Sequence, residues 1–182
     1  MKSLLLPVFL LAAGPACAAG WTMQPAQSAL TFTGTETGAA FTGSFSSWQA
    51  AISYDPAHPA AATVTITVDL ASAKTGDQQR DTALPGADWF NIAATPKAVF
   101  TATGFTPLGG DKFTTTGTLT LRGHSQQLTL PFTLDLKGNQ ATAKGTLTLH
   151  RTAFGVGQGA WATGDYVGLN VGVSFTLVAR GG

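Results

Sequence analysis

Apolar and polar residues alternate along most of this chain at the two-residue period of a β-strand. The clearest run is LTLPFTLDLK. Leu128, Leu130, Phe132, Leu134 and Leu136 fall on one face, and Thr129, Pro131, Thr133, Asp135 and Lys137 on the other. Val64, Ile66, Val68 and Leu70 repeat the pattern, as do Phe113, Leu119 and Leu121 with Thr on the opposite face. Ala143, Gly145, Leu147 and Leu149 form another inward row. Val167, Leu169, Val171, Val173, Phe175 and Leu177 form the last, and Leu30 and Phe32 mark the first. In FTGSFSSWQAAISYDP the phase changes. Phe41, Gly43 and Phe45 share one face and Trp48, Ala50, Ile52 and Tyr54 the other, which predicts a β-bulge at Ser46-Ser47. Residues 97–106 predict one more strand, whose phase Val99, Phe100 and Phe105 leave open.

These rows make eight strands. Their outward positions are mostly Thr, a β-branched residue suited to a pleated, solvated face. Gly123-His124 and Gly138-Asn139 mark tight hairpins, so the sheet is antiparallel. The fold class predicted is all-β: an eight-stranded antiparallel barrel, closed because closure removes exposed edges. A barrel of this size is filled by its own side chains or holds one small ligand. The small inward residues Gly43, Ala50, Ala143 and Gly145 fit a cavity and a close backbone approach equally well. One helical or loop excursion, about residues 71–96, interrupts the pattern as the only long connection. Asp77 to Leu84 can form a short helix within it.

Composition narrows the setting. The opening MKSLLLPVFLLAAGPACAAG has one charge, an apolar run and a small-residue end, the form of a signal peptide over residues 1–19 cleaved after Ala18 or Ala19. The expectation is export to the periplasm of a single domain, residues 20–182, with no membrane anchor. Cys17 is the only cysteine and would leave with the leader, so no disulfide is expected. Without Lys2 the chain has nine basic and nine acidic residues from the 10 and 9 of the whole sequence. Charged residues make up 10% of it, against a usual ~25%. A neutral, charge-poor domain is a poor partner for nucleic acid. An unpaired edge at the first or last strand would seat a second copy as a homodimer.

The charges that exist crowd into KTGDQQRDTALPGADWF. Lys74, Asp77, Arg80 and Asp81 read either as a clasp holding the excursion to the barrel or as a site for an anionic head group. The balance of signs favours the clasp. Leu84, Trp89 and Phe90 would line a cavity or plug the barrel end. His58, His124 and His150 lack metal-ligand spacing, so no metal site is expected. No nucleophile elbow or histidine-activated carboxylate points to an enzyme, and no cofactor motif is present. GVGQG at 155–159 lacks a following helix and reads as a hairpin loop rather than a nucleotide loop.

Several of these stretches resemble the YceI-like family of exported lipid- or polyisoprenoid-binding proteins. WTMQPAQSALTF is similar to its opening strand and FTGSFSSWQAAISYDP to its second. Thr75, Gly76, Arg80 and Asp81, followed by Leu84 and Asp88-Trp89-Phe90, match its most specific run. PKAVFTAT, GTLTLRGHSQQLTL and the tail FGVGQGAWATGDYVGLNVGVSFTLVA agree as well, so the likeness spans roughly residues 21–179. Gln24 stands where an acid is common and Trp89 where Phe is usual. The resemblance implies a lipocalin-like barrel, without catalysis, whose apolar interior holds an isoprenoid chain of polyprenyl phosphate or quinone type. On that expectation the lining is Phe41, Phe45, Trp48, Leu84, Trp89, Phe90, Phe100, Phe105, Phe132, Trp161 and Phe175. The membrane would be met without an anchor. The rival expectation is a packed barrel with a stress-response or interaction role and no lipid.

Overall fold

Alternating Thr and aliphatic residues produce long strands, and the structure, a computed structural model, describes them over residues 20–181. The expected leader lies outside the described residues. Twelve ladder segments are present. They are β1 (Gly20–Met23), β2 (Ala29–Glu36), β3 (Ala39–Phe45), β4 (Trp48–Ser53), β5 (Thr63–Asp69) and β6 (Ala73–Lys74). After the helix α1 (Gln78–Ala83) come β7 (Lys97–Thr103), β8 (Thr106–Gly109), β9 (Lys112–Leu121), β10 (His124–Lys137), β11 (Gln140–His150) and β12 (Asn170–Gly181).

Four pairs of segments are single strands broken in the middle. A turn at Pro25–Gln27 divides β1 from β2, yet both pair with β12. The chain bends at Ser46-Ser47 between β3 and β4, where the phase change placed a bulge. A turn at Leu70–Ser72 divides β5 from β6, and Gly104, at φ +75°, divides β7 from β8. The eight strands that result run antiparallel, each paired with the next in sequence. The last pairs with the first, through Trp21↔Gly181 and Phe32↔Val173, and closes the barrel. The first and last strands are therefore not free edges, which removes the footing on which a homodimer was expected.

Several expectations need correction. The excursion is not the only long connection: a second runs from Arg151 to Leu169, and β12 begins at Asn170. Val167 and Leu169 imitate the period-two row, but Val167 makes only an isolated bridge to Glu36. GVGQG lies in this connection, which joins the antiparallel neighbours β11 and β12 and so is a hairpin loop, though a long one. The turn before β10 is Arg122-Gly123, both at positive φ, and His124 already belongs to the strand. Leu136 lies near the barrel end and is 38% exposed.

The open phase of residues 97–106 is settled by small residues. Ala98 and Ala102 are buried and Phe100 shares their side, while the bend at Gly104 turns Phe105 inward too. Two of the small inward positions are also settled. Gly43 lies beneath the ring of Phe32 and Gly145 beneath that of Phe175, each its cross-strand partner. These glycines serve close packing, whereas Ala143 lines a cavity and Ala50 does not.

Both long connections lie at the barrel end away from the termini. Leu70, Phe90, Phe154 and Val156 pack there, and Tyr54, Phe132, Leu134 and Ala141 gather at the other end. Neighbouring strands stay paired along most of their lengths, with one exception. β10 and β11 pair only from Lys137↔Gln140 to Phe132↔Gly145, although β10 continues back to His124 and β11 on to His150.

Candidate ligand site

The excursion is organised from its helix outward. Asp77 caps α1 by accepting a hydrogen bond from the Arg80 amide at 3.0 Å. Asp81 accepts from the Thr75 amide at 2.7 Å and the Thr75 hydroxyl at 2.8 Å. These two donors, helped by the Lys74 charge, hold the Asp81 carboxyl below the ordinary carboxylate range. Lys74 itself is exposed at the end of β6.

Arg80 reaches back to the barrel. Its Nη1 donates to Glu36 Oε2 at 2.7 Å, and its guanidinium lies 4.8 Å from the centre of the Phe41 ring. A weaker contact joins Nη2 to Asp77 at 3.8 Å. Arg80 thus ties α1 to the end of β2, and its charge is answered by carboxylates on both sides. Glu36 was not singled out in the sequence. It sits alone at a hairpin, and only the folded register brings it to Arg80.

The second connection is built around Arg151, which the sequence reading also missed. Its side chain is 3% exposed and has no carboxylate partner among the described residues. Its N–H groups donate instead to the carbonyls of Gly168 and Val156 at 2.9 Å, Val167 at 2.7 Å, Gly157 at 3.4 Å and Trp161 at 2.5 Å. Guanidinium has five such donors, so each is occupied. Burial pulls its pKa below the usual arginine value. The only sequence signal was its position just past a period-two row.

The two connections are joined to each other. The Asp88 carbonyl accepts from the amides of Gly157 at 2.8 Å and Gln158 at 2.9 Å. Arg122 donates to the carbonyls of Ala87 and Gly155. Trp89 contacts both Arg151, 5.6 Å from its ring centre, and the tilted ring of Trp161, also at 5.6 Å.

Beneath this cover lies a cavity of about 290 Å³ that runs through the barrel. Phe41, Phe45, Trp48, Leu84, Trp89, Phe90, Phe100, Phe105, Phe132 and Phe175 all line it, together with aliphatic residues from each of the eight strands. Trp161 does not line it. It packs instead on Trp89 and, at 6.3 Å, on Tyr166. Polar lining is sparse. Thr115 gives its hydroxyl to the Gly104 carbonyl at 2.8 Å, and Arg151 is held as described. Tyr54 closes the far end, where burial and the neighbouring Asp55 raise its pKa. No Asp, Glu or His lines the cavity among the described residues.

The sequence profile of the YceI-like domain matches residues 21–179. The chain belongs to the YceI-like family. A curated relative, the UPF0312 protein of Pseudomonas savastanoi pv. phaseolicola, is 28% identical over 165 residues, covering 86% of each chain. The crystal structure of Burkholderia cenocepacia BcnA superposes with a TM-score of 0.83 at 32% identity, covering 87% of this chain and 99% of that one. A polyisoprenoid binding domain from Saccharophagus degradans shares the fold, with a TM-score of 0.71 at 17% identity over 91% of this chain and 99% of that domain. In the frame of the YceI-like fold, the excursions cover one end of an apolar barrel.

Proposed function

We propose that this protein is a non-catalytic carrier that holds an isoprenoid chain, of polyprenyl phosphate or quinone type, inside its barrel. The observation that carries the reading is the cavity of about 290 Å³, walled by apolar side chains from every strand. Such a site recognises an uncharged chain by burial. Each methylene removed from water contributes ~0.8 kcal/mol, so several isoprene units bind without a polar anchor. The rival packed barrel would be filled by its own side chains, and the cavity weighs against it. The Saccharophagus degradans domain of the same fold, described as polyisoprenoid-binding, points to the same ligand class. A lining without carboxylate or imidazole suits binding rather than acid–base chemistry. The leader-like opening residues support a periplasmic setting for the carrier.

The test is native mass spectrometry of the protein taken from its own host, followed by organic extraction. A stoichiometric isoprenoid, released on denaturation, is expected. A bare protein mass, unchanged after incubation with polyprenyl phosphate and with a quinone, would overturn the reading.

A further inference from the structure

We infer that the ligand chain enters through the side of the barrel, at a portal between β10 and β11, rather than through either end. This rests on the carrier reading above and adds the route to it.

The portal begins where the ladder stops. Beyond Phe132↔Gly145 the same register would pair Pro131 with Thr146, Leu130 with Leu147 and Thr129 with Thr148, but none of these pairs forms. Pro131 has no N–H, so it cannot return the hydrogen bond that the next rung requires. Both strands stay ordered past that point because each is held on its other side. β10 remains paired with β9 as far as His124↔Leu121, and β11 with β12 as far as His150↔Asn170. The split is therefore a gap between two supported strands and not a frayed end.

The gap is framed, and a cleft lies over it. The Phe132↔Gly145 pair bounds it on one side. The turn Arg151–Phe154 bounds it on the other, held to β10 by the Gln126 amide on the Ala153 carbonyl at 3.4 Å, while Arg122, just before β10, donates to Gly155 at the end of the turn. A cleft of about 450 Å³ lies on the outer wall here, with Thr129 and Pro131 on one bank and Thr146 and Thr148 on the other. Leu128, Leu147 and Val173 line this cleft and the inner cavity alike. The same three apolar side chains thus face both spaces. Gly172 leaves the outer floor low, and the rim carries hydroxyls and no charge.

The ends of the barrel are less accessible. One is covered by the joined excursions, bound together by the Asp88 carbonyl, by Arg122 from the β9–β10 turn and by Arg151 against the Trp89 ring. The other is filled by Tyr54, Phe105 and Phe132, with ring centres 5.5 and 5.1 Å apart in succession. Opening either end breaks hydrogen bonds or aromatic packing. Passage between β10 and β11 breaks no ladder bond, because the rungs there are already missing. An apolar chain with a neutral rim to cross is the occupant that fits.

Two experiments test this in the full chain carrying Cys17→Ser. In the first, Thr129→Cys and Thr148→Cys are joined by a short bis-maleimide. Uptake of decaprenyl phosphate from detergent micelles is then followed by the fluorescence of Trp48 and Trp89, which line the cavity. The bridged protein should load at least about tenfold more slowly than the same variant unbridged, with an unchanged final amount. Equal rates would overturn the portal. In the second, Leu147→Cys should react with a small maleimide in the folded protein about tenfold faster than Val68→Cys, which faces inward from β5. Equal protection of both thiols would also overturn it. If the unbridged protein takes up no lipid at all, the carrier reading falls and the portal with it. That outcome is distinct from an open carrier whose bridge makes no difference.

Discussion

Four inward glycines lie under phenylalanine rings, and this pairing sets how wide the cavity can be. A Cβ at Gly34 would come within 2.8 Å of Phe41, at Gly117 within 2.5 Å of Phe100 and at Gly145 within 2.6 Å of Phe175, while Gly43 is covered by Phe32. The ring fills the space its partner leaves and packs flat along the wall instead of across the interior. At Gly145 the Pro131 carbonyl also stands 2.8 Å away and cannot swing aside. Gly145→Ala should therefore destabilise the protein by about 1–3 kcal/mol in urea unfolding. Loss of less than a few tenths would mean that the wall yields. At Asp81 the lowered carboxyl pKa has a definite sign. Its stabilising contribution is present above the unfolded carboxylate value and is lost as the pH falls through the lower folded one. An NMR titration should place the Asp81 midpoint below ~3.9, and Thr75→Val should raise it. An unmoved midpoint would show that the Thr75 hydroxyl is not a cause and leave the shift to the Thr75 amide, which valine keeps.

At the scale of elements, the bulge and the first excursion were legible and the second excursion was not. Phase is visible in sequence, so the change between Phe45 and Trp48 located the bend. The helix announced itself through Asp77, whose side chain caps it. The connection from Arg151 to Leu169 is held by a guanidinium among backbone carbonyls, and carbonyls have no sequence signature. Val167 and Leu169 happened to continue the strand period. The Arg80–Glu36 link was hidden for a related reason: its partners are 44 residues apart and meet only through the barrel. Their side chains are 26% and 33% exposed, so the pair is worth little in global stability. A double-mutant cycle of Arg80→Met and Glu36→Gln should give a coupling of ~1 kcal/mol or less, shrinking with salt. Amide exchange across residues 75–96 should nevertheless quicken in either variant. Unchanged exchange would mean that the excursion is held by Asp88 and Arg122 without it.

For the whole molecule, the inward rows identified the wall and most of the lining but could not measure the space inside. Volume depends on how rings tilt, and the glycines that suggested room are the places where rings lie down. Phe132 shows how wall and lining coincide: it packs between Phe105 and Phe113, at 5.1 and 5.7 Å, and faces the cavity. Phe132→Ala should lower stability by about 3–5 kcal/mol without ligand. Lipid should recover part of that loss if the chain fills the vacated volume, which thermal melts with and without decaprenyl phosphate would reveal. A melt equally low in both conditions would confine Phe132 to structure.

The closure of the barrel by its own two ends has a consequence for how the chain comes to be folded. Residues 20–36 must wait for residues 170–181, because the last strand is the partner of the first. Until those arrive, a nascent chain presents two long, Thr-rich edges with no mate. Such distant pairing is slow to form. A product truncated before Asn170 would expose both edges permanently and should aggregate rather than survive as a smaller barrel.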